Sequence, residues 1–145
     1  MTLSEKNVLI VEDEVSNYYL LETILKRAGV ITKWVTDGFE AIDSIDLQNN
    51  FDAIFMDLRL PYLNGYEATR QIKQKKPALP IIAVTAYALN GDKEKAEAAG
   101  CDRYITKPYT KNQILHTLSE ILTESIKKSE NSNHSTFQKT HFHQQ

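Results

Sequence analysis

Three carboxylates, a hydroxyl and an ammonium occupy equivalent places along this chain. Each stands at or just past the carboxyl end of a short apolar run: Glu12-Asp13 after Asn7 to Val11, Asp57 after Ala53 to Met56, Thr85 after Ile81 to Val84, and Lys107-Pro108 after Arg103 to Thr106. Clustered carboxylates repel one another, and a cation among them offsets that cost. Oxygen ligands from one or two carboxylates, with several waters retained, suit Mg²⁺. The same ion neutralises charge that develops on a phosphoryl group during in-line transfer. An aspartate can itself be the nucleophile, giving an aspartyl phosphate. Lys107, as a point charge, and Thr85, through its O–H, suit the new phosphoryl oxygens. As a set these groups describe a Mg²⁺-assisted phosphoryl acceptor. Singly, each is ordinary: an acidic turn, a helix-capping aspartate, a strand-end threonine, a strand-to-helix corner.

The groups meet only if the fold collects the ends of all four runs. Strand-like and helix-like patterns alternate five times. The Asn7 to Val11 run is almost wholly apolar, as for a strand covered on both faces. Leu21, Ile24, Leu25 and Ala28 then recur at helical spacing, and Gly29 closes that helix. Ile31 to Val35 is a second strand. Asp37 heads the next helix with Glu40 three residues on, a capping-box pattern. Pro61 and Gly65 precede a helix from about Tyr66 to Lys75, and Asn90-Gly91-Asp92 precedes an alanine-rich helix that ends at Gly100. Thr110 and Gln113 open the last helix as another capping box, with Ile114, Leu115, Leu118, Ile121 and Leu122 on one stripe.

Strands alternating with helices of this length imply right-handed βαβ units and a parallel sheet. The expected fold class is α/β: a single three-layer α/β/α domain whose five-stranded sheet has the flavodoxin-like order 2-1-3-4-5. In such open sheets ligands bind beyond the strand carboxyl ends where the strand order reverses, and that order sets strands 1 and 3 side by side. Glu12, Asp13 and Asp57 would then converge. Residues 1–6 form an N-terminal extension, 7–125 the domain, and 126–145 a polar tail. The tail carries too little apolar surface to offset its ordering entropy and is expected to be disordered. Its His141 and His143 are too few for a closed metal site.

At 145 residues the chain affords one domain with a true core. Seventeen basic residues against nineteen acidic ones, a net charge of −2, give no nucleic-acid footprint, so direct DNA binding is not expected. The single cysteine, Cys101, excludes an internal disulfide and fits a reducing compartment. No apolar stretch approaches the roughly 20 residues of a membrane span. A cytoplasmic protein is expected, either free or as a part of a larger membrane-bound one.

The strings Val8-Leu9-Ile10-Val11-Glu12-Asp13-Glu14, Met56-Asp57-Leu58-Arg59-Leu60-Pro61, Asn64-Gly65, Val84-Thr85-Ala86 and Ile105-Thr106-Lys107-Pro108 resemble the receiver domain of bacterial-type two-component response regulators. The resemblance spans about Lys6 to Ser125. It implies that Asp57 accepts a phosphoryl group from a histidine kinase or a histidine phosphotransfer protein. It implies that Glu12, Asp13, Asp57 and the backbone carbonyl of Arg59 hold Mg²⁺, that Thr85 and Lys107 contact the phosphoryl group, and that the Lys107-Pro108 bond is cis. Tyr104 matches the family's aromatic switch position. On phosphorylation Thr85 would move toward the phosphoryl group and Tyr104 would turn inward behind it, a shift between pre-existing states. The face made by the alanine-rich helix, the Tyr104 strand and the last helix would meet a downstream protein target. Leu63 and Asn64 depart from the family's common Met and Asp. Arg59 and Tyr87, each two residues past a site residue, stand where the lifetime of the phosphorylated state is tuned.

Two other classes share parts of this pattern. A flavin or nucleotide binder of the same fold wants a glycine-rich or hydroxyl-rich first loop, whereas Glu12-Asp13-Glu14 is acidic and lacks glycine. A Mg²⁺-dependent phosphohydrolase with an aspartate nucleophile, of the haloacid dehalogenase kind, carries a second aspartate where Arg59 stands. Within the receiver class, the chain reads either as a free single-domain regulator or as the receiver module of a hybrid histidine kinase. It is not expected to be a conventional enzyme, although slow autophosphorylation from small phosphodonors and slow autodephosphorylation are.

Overall fold

Five strands and five helices alternate along a computed structural model that describes residues 2–143 apart from Asn49 and Tyr87, with side chains described through Asn131. They are β1 (Asn7–Val11), α1 (Val15–Arg27), β2 (Ile31–Val35), α2 (Gly38–Leu47), β3 (Ala53–Asp57), α3 (Gly65–Lys75), β4 (Ile81–Thr85), α4 (Asp92–Ala99), β5 (Arg103–Thr106) and α5 (Lys111–His143). All strand pairs are parallel, in the order β2-β1-β3-β4-β5. The expected α/β class and strand order are therefore those observed.

Successive residues of a strand point to opposite faces, so one apolar run supplies two cores. Leu9, Val11, Ile54, Met56, Ile81 and Ala83 face α2, α3 and α4, where Ile42, Ile45, Ala68, Ile72 and Ala96 meet them. Val8, Ile10, Ala53, Phe55, Ile82 and Val84 face α1 and α5, against Leu21, Leu25, Ile114, Leu118 and Ile121. The three central strands are buried almost throughout, while β2 and β5, at the edges, are only partly covered. Burying one such side chain as large as Phe55 is worth about 1.5–3 kcal/mol. This double packing holds the strand ends, and hence the site, in register.

Local signals set the helix starts. Asp37 caps α2 by accepting from Glu40 N–H at 2.9 Å, and the Glu40 carboxylate accepts from Thr36 N–H at 3.1 Å, one residue earlier than a capping box requires. Thr110 and Gln113 form the reciprocal box in full, at 3.1 and 2.7 Å. Asn64 caps α3 by accepting from Glu67 N–H at 3.0 Å. The left-handed φ of 86° at Gly29 ends α1. Cys101 is buried, and burial pushes its thiol up to about 11, which keeps it protonated and unreactive.

One element differs from the sequence pattern. The apolar stripe of α5 ends at Leu122, yet the main chain remains helical to His143. No glycine or proline follows Pro108, so nothing in the covalent chain stops the helix once it has started. Among the described side chains of the extension, residues 126–131 are all exposed and add nothing to the core. The side chains expected in the tail beyond Asn131, including His141 and His143, lie outside the described residues, as does Tyr87.

Gly65 begins α3 where its backbone crosses the end of β3. A Cβ there would lie 2.2 Å from the Asp57 carbonyl oxygen and 2.7 Å from Leu58 Cα. Neither is a side-chain end that could swing away. Gly65→Ala is expected to lower the free energy of unfolding by about 2–3 kcal/mol, the cost of overpacking against main chain, as measured by urea denaturation.

Candidate functional site

The register of the ladder decides which ends meet. Val11 is level with Met56, so Glu12 and Asp57, one residue further along each strand, come side by side. Asp57 is level with Val84, and Thr85 with Thr106. Past Thr106 the chain turns across the sheet edge: Lys107 N–H donates to the Thr85 carbonyl at 2.8 Å, and the Lys107-Pro108 bond is cis. The Lys107 side chain thus reaches back over β4 toward β3 and β1.

Carboxylate oxygens of Glu12, Asp13 and Asp57 all lie within 4.8 Å of one another. Glu12 and Asp57 are buried, whereas Asp13 opens to solvent. Lys107 Nζ sits 2.7 Å from Glu12 Oε1 and 3.7 Å from Asp57 Oδ2. The other oxygen of Asp57, Oδ1, accepts from Arg59 N–H at 2.9 Å, and Glu12 Oε2 accepts from Glu14 N–H at 3.2 Å. Thr85 is fully buried at the end of β4.

Three negative groups face one ammonium. Burial, and then the Asp57 carboxylate, push the Glu12 carboxyl above its ordinary range, with Lys107 pulling the other way. Burial, followed by the neighbouring Glu12, does the same to Asp13. Burial is the larger cause of both shifts and the neighbouring carboxylates the smaller, while three carboxylates beside one ammonium leave two negative charges in surplus. An all-oxygen donor set on one open side, with two surplus charges, fits Mg²⁺.

Two further residues at this end of the sheet escaped the sequence patterns. Trp34, on the edge strand β2, donates its indole N–H to the Glu12 main-chain carbonyl at 2.7 Å. Asp92, at the start of α4, is buried and gathers three partners: Tyr104 Oη at 2.5 Å, Tyr66 Oη, and Arg59 Nη2 at 3.5 Å. Burial, then Asp92, push the Tyr104 phenol up to about 12. Asn90-Gly91-Asp92 reads as a helix start, and nothing in that string indicates that the carboxylate turns inward to two tyrosines. Only a tertiary contact could disclose it.

Residues 8–119 match the response regulator receiver domain family. The chain belongs to that family. It is 34% identical over 122 residues to the polar-differentiation response regulator DivK of Brucella ovis, covering 83% of this chain and 98% of that one. The receiver domain of a sensor histidine kinase from Pseudomonas aeruginosa PAO1, solved with a magnesium ion coordinated in its active-site cleft, is 38% identical, with a TM-score of 0.77 over 83% of this chain and 99% of that one. A CheY-like receiver domain protein from Methanospirillum hungatei JF-1 superposes with a TM-score of 0.81 at 28% identity, over 86% and 99% of the two chains. The acidic cluster thus occurs in a receiver domain of two-component signalling, and its geometry fits both the cation and the phosphoacceptor aspartate of such a domain. Among the described residues no helix is long and apolar enough to cross a membrane.

If like-charge repulsion dominates the cation-free cluster, removing the exposed carboxylate relieves it. Asp13→Asn is expected to melt about 1–3 °C above the native chain in EDTA, and to lose the rise in melting temperature that Mg²⁺ gives the native chain. Differential scanning calorimetry with and without Mg²⁺ checks both halves.

Proposed function

We propose that Asp57 is the phosphoacceptor of a two-component pathway, taking its phosphoryl group from the phosphohistidine of a histidine kinase or histidine phosphotransfer protein. The observation that carries this reading is the position of Lys107. Its ammonium, 95 residues from Glu12 in sequence, is delivered between Glu12 and Asp57. In the transfer an Asp57 carboxylate oxygen forms a bond to phosphorus as the P–N bond to the donor imidazole breaks. The electron pair of that bond stays on the imidazole nitrogen, which takes up a proton.

Glu12, Asp13, Asp57 and the Arg59 carbonyl are the proposed Mg²⁺ ligands. When bound, the ion neutralises charge on the phosphoryl oxygens in the transition state. Lys107 would give up its contact with Glu12 and bind one phosphoryl oxygen, and Thr85 would bind another through its hydroxyl. The magnesium-bearing cleft of the Pseudomonas receiver supports a Mg²⁺ site here. Slow self-phosphorylation from small phosphodonors and slow hydrolysis of the aspartyl phosphate follow from the same site, without turnover of a substrate.

Tyr104 is the proposed switch. In the present state its hydroxyl is tied to Asp92 on α4. If Thr85 moves toward a phosphorylated Asp57, Tyr104 can turn inward behind it. Asp92 then keeps Tyr66 and Arg59, so a buried carboxylate is not orphaned, and the move costs one hydrogen bond to a carboxylate, about 1.5–3 kcal/mol net. The face formed by α4, β5 and α5 is the proposed surface for a downstream protein target, and the proposed location is the cytoplasm. The 34% identity to DivK, a response regulator, supports a free regulator. The 38% identity to a sensor kinase receiver supports the second reading, a module of a hybrid kinase.

Acetyl phosphate with Mg²⁺ is expected to add one phosphoryl group, seen by intact-mass spectrometry, and Asp57→Asn is expected to abolish the adduct. Labelling that persists in Asp57→Asn would refute the assignment. Lys107→Ala is expected to keep the Mg²⁺-dependent rise in melting temperature and the adduct, yet to lose the phosphorylation-dependent change in the Tyr104 ring resonances measured by NMR. A native-like spectral response would remove Lys107 from the switch.

A further inference from the structure

The strand that flanks the acidic turn stops early. The β1–β2 ladder is parallel, with Ile10 level with Trp34 and Val11 with Val35, and β2 ends at Val35. Glu12 N–H still donates to the Val35 carbonyl, at 3.1 Å. In a continued parallel ladder the Glu12 carbonyl would accept from the main-chain N–H of residue 37. By then the chain has turned away: Asp37 is the N-cap of α2, and Thr36 N–H is engaged by the Glu40 carboxylate. The Trp34 indole N–H takes the vacated place, 2.7 Å from the Glu12 carbonyl. Tyr18 of α1 holds the indole in turn, its ring stacked on Trp34 with centroids 3.9 Å apart and planes 7° from parallel.

We infer that Trp34 is a positioning residue for the cation site: its indole N–H stands in for a missing ladder bond and fixes the Glu12-Asp13 peptide so that both carboxylates point toward Asp57. The inference rests on the reading of this cluster as a Mg²⁺ site. Repulsion from Glu12 and Asp57 acts on the exposed Asp13, yet its carboxylate oxygen stays within 4.8 Å of theirs. The carbonyl of Glu12 belongs to the same planar peptide as the Asp13 nitrogen, so a donor that pins that carbonyl also fixes where Asp13 begins. A site held in its binding geometry beforehand spends less of its binding energy on ordering when the ion arrives. Trp34 belongs to the group of side chains that orient metal ligands without touching the metal.

A half-buried indole N–H also seeks a partner for its own sake, and the test separates the two roles. Trp34→Phe keeps an aromatic face for Tyr18 and removes the donor. Trp34 is the only tryptophan, so biosynthetic replacement of tryptophan by its benzothiophene analogue deletes that N–H at nearly constant shape throughout the protein. The full chain is titrated with Mg²⁺, reading the concentration that gives the half-maximal rise in melting temperature, alongside melting in EDTA. Both replacements are expected to raise that concentration about fivefold, the worth of one net hydrogen bond, while the analogue melts in EDTA within a few degrees of the native chain. An analogue that binds Mg²⁺ within twofold of native overturns the inference, even where Trp34→Phe weakens binding. So does a loss of affinity matched by collapse of the EDTA melting temperature. A native chain with no Mg²⁺ response overturns the cation reading itself, a result separate from equal binding by native and analogue.

Discussion

Two buried carboxylates and an exposed third, set within 4.8 Å of one another beside a single ammonium, impose the constraint on which the rest of this structure depends. A folded domain is stable by only about 5–15 kcal/mol in all, so this concentration of like charge at the end of a sheet needs firm support. The support is apolar and lies mostly behind the site. Val8 to Val11 and Ala53 to Met56 are covered on both faces, and their burial holds the two strand ends side by side against the repulsion of what they carry. The polar end of the sheet is possible because the strands leading to it are oily.

The same economy explains why the acids cannot simply spread apart. Asp57 is fixed on one side by Arg59 N–H, and its carbonyl is overlain by the α3 backbone at Gly65, too close for any side chain. Glu12 is held through its main chain by β2 and through its carboxylate by Lys107 and Glu14 N–H. Only Asp13 opens to water. The cluster therefore answers its charge surplus by taking up protons or a cation more readily than by moving, which is the behaviour required of a preorganised site.

Much of this was legible in the chain. The near-continuous apolar runs separated by amphipathic helices fixed the α/β class and the sheet order, because few topologies satisfy right-handed crossovers with both faces covered. The residues just past each run then named the site, since a parallel sheet brings all carboxyl ends to one edge. What could not be read was of two kinds. The continuation of α5 past Leu122 follows from the absence of a stop signal, which periodicity of apolar residues does not register. The inward turns of Trp34 and Asp92 are tertiary: an indole on an edge strand and an acid at a helix start look like any surface residues until their partners, 22 and 12 residues away, are in place.

Those two contacts also divide the site into a firm side and a soft one. On the β1 side, α1 packs Leu21, Ile24 and Leu25 into the core, and Glu12 has both main-chain groups bonded to β2. On the β4 side, α4 is a helix of eight residues whose buried groups are Asp92 and two alanines, Ala96 and Ala99. Small side chains bury little area, so α4 is held in large measure by the hydrogen bonds that Asp92 gathers. Opening free energy varies across a fold, and elements that move in response to a ligand come from the weakly held end. In the proposed function that division is what signalling needs. The half that binds the cation stays still, while the half that carries Tyr104 changes state by trading one bond at Asp92, so a modest difference in phosphoryl contacts between the two states is enough to shift their populations.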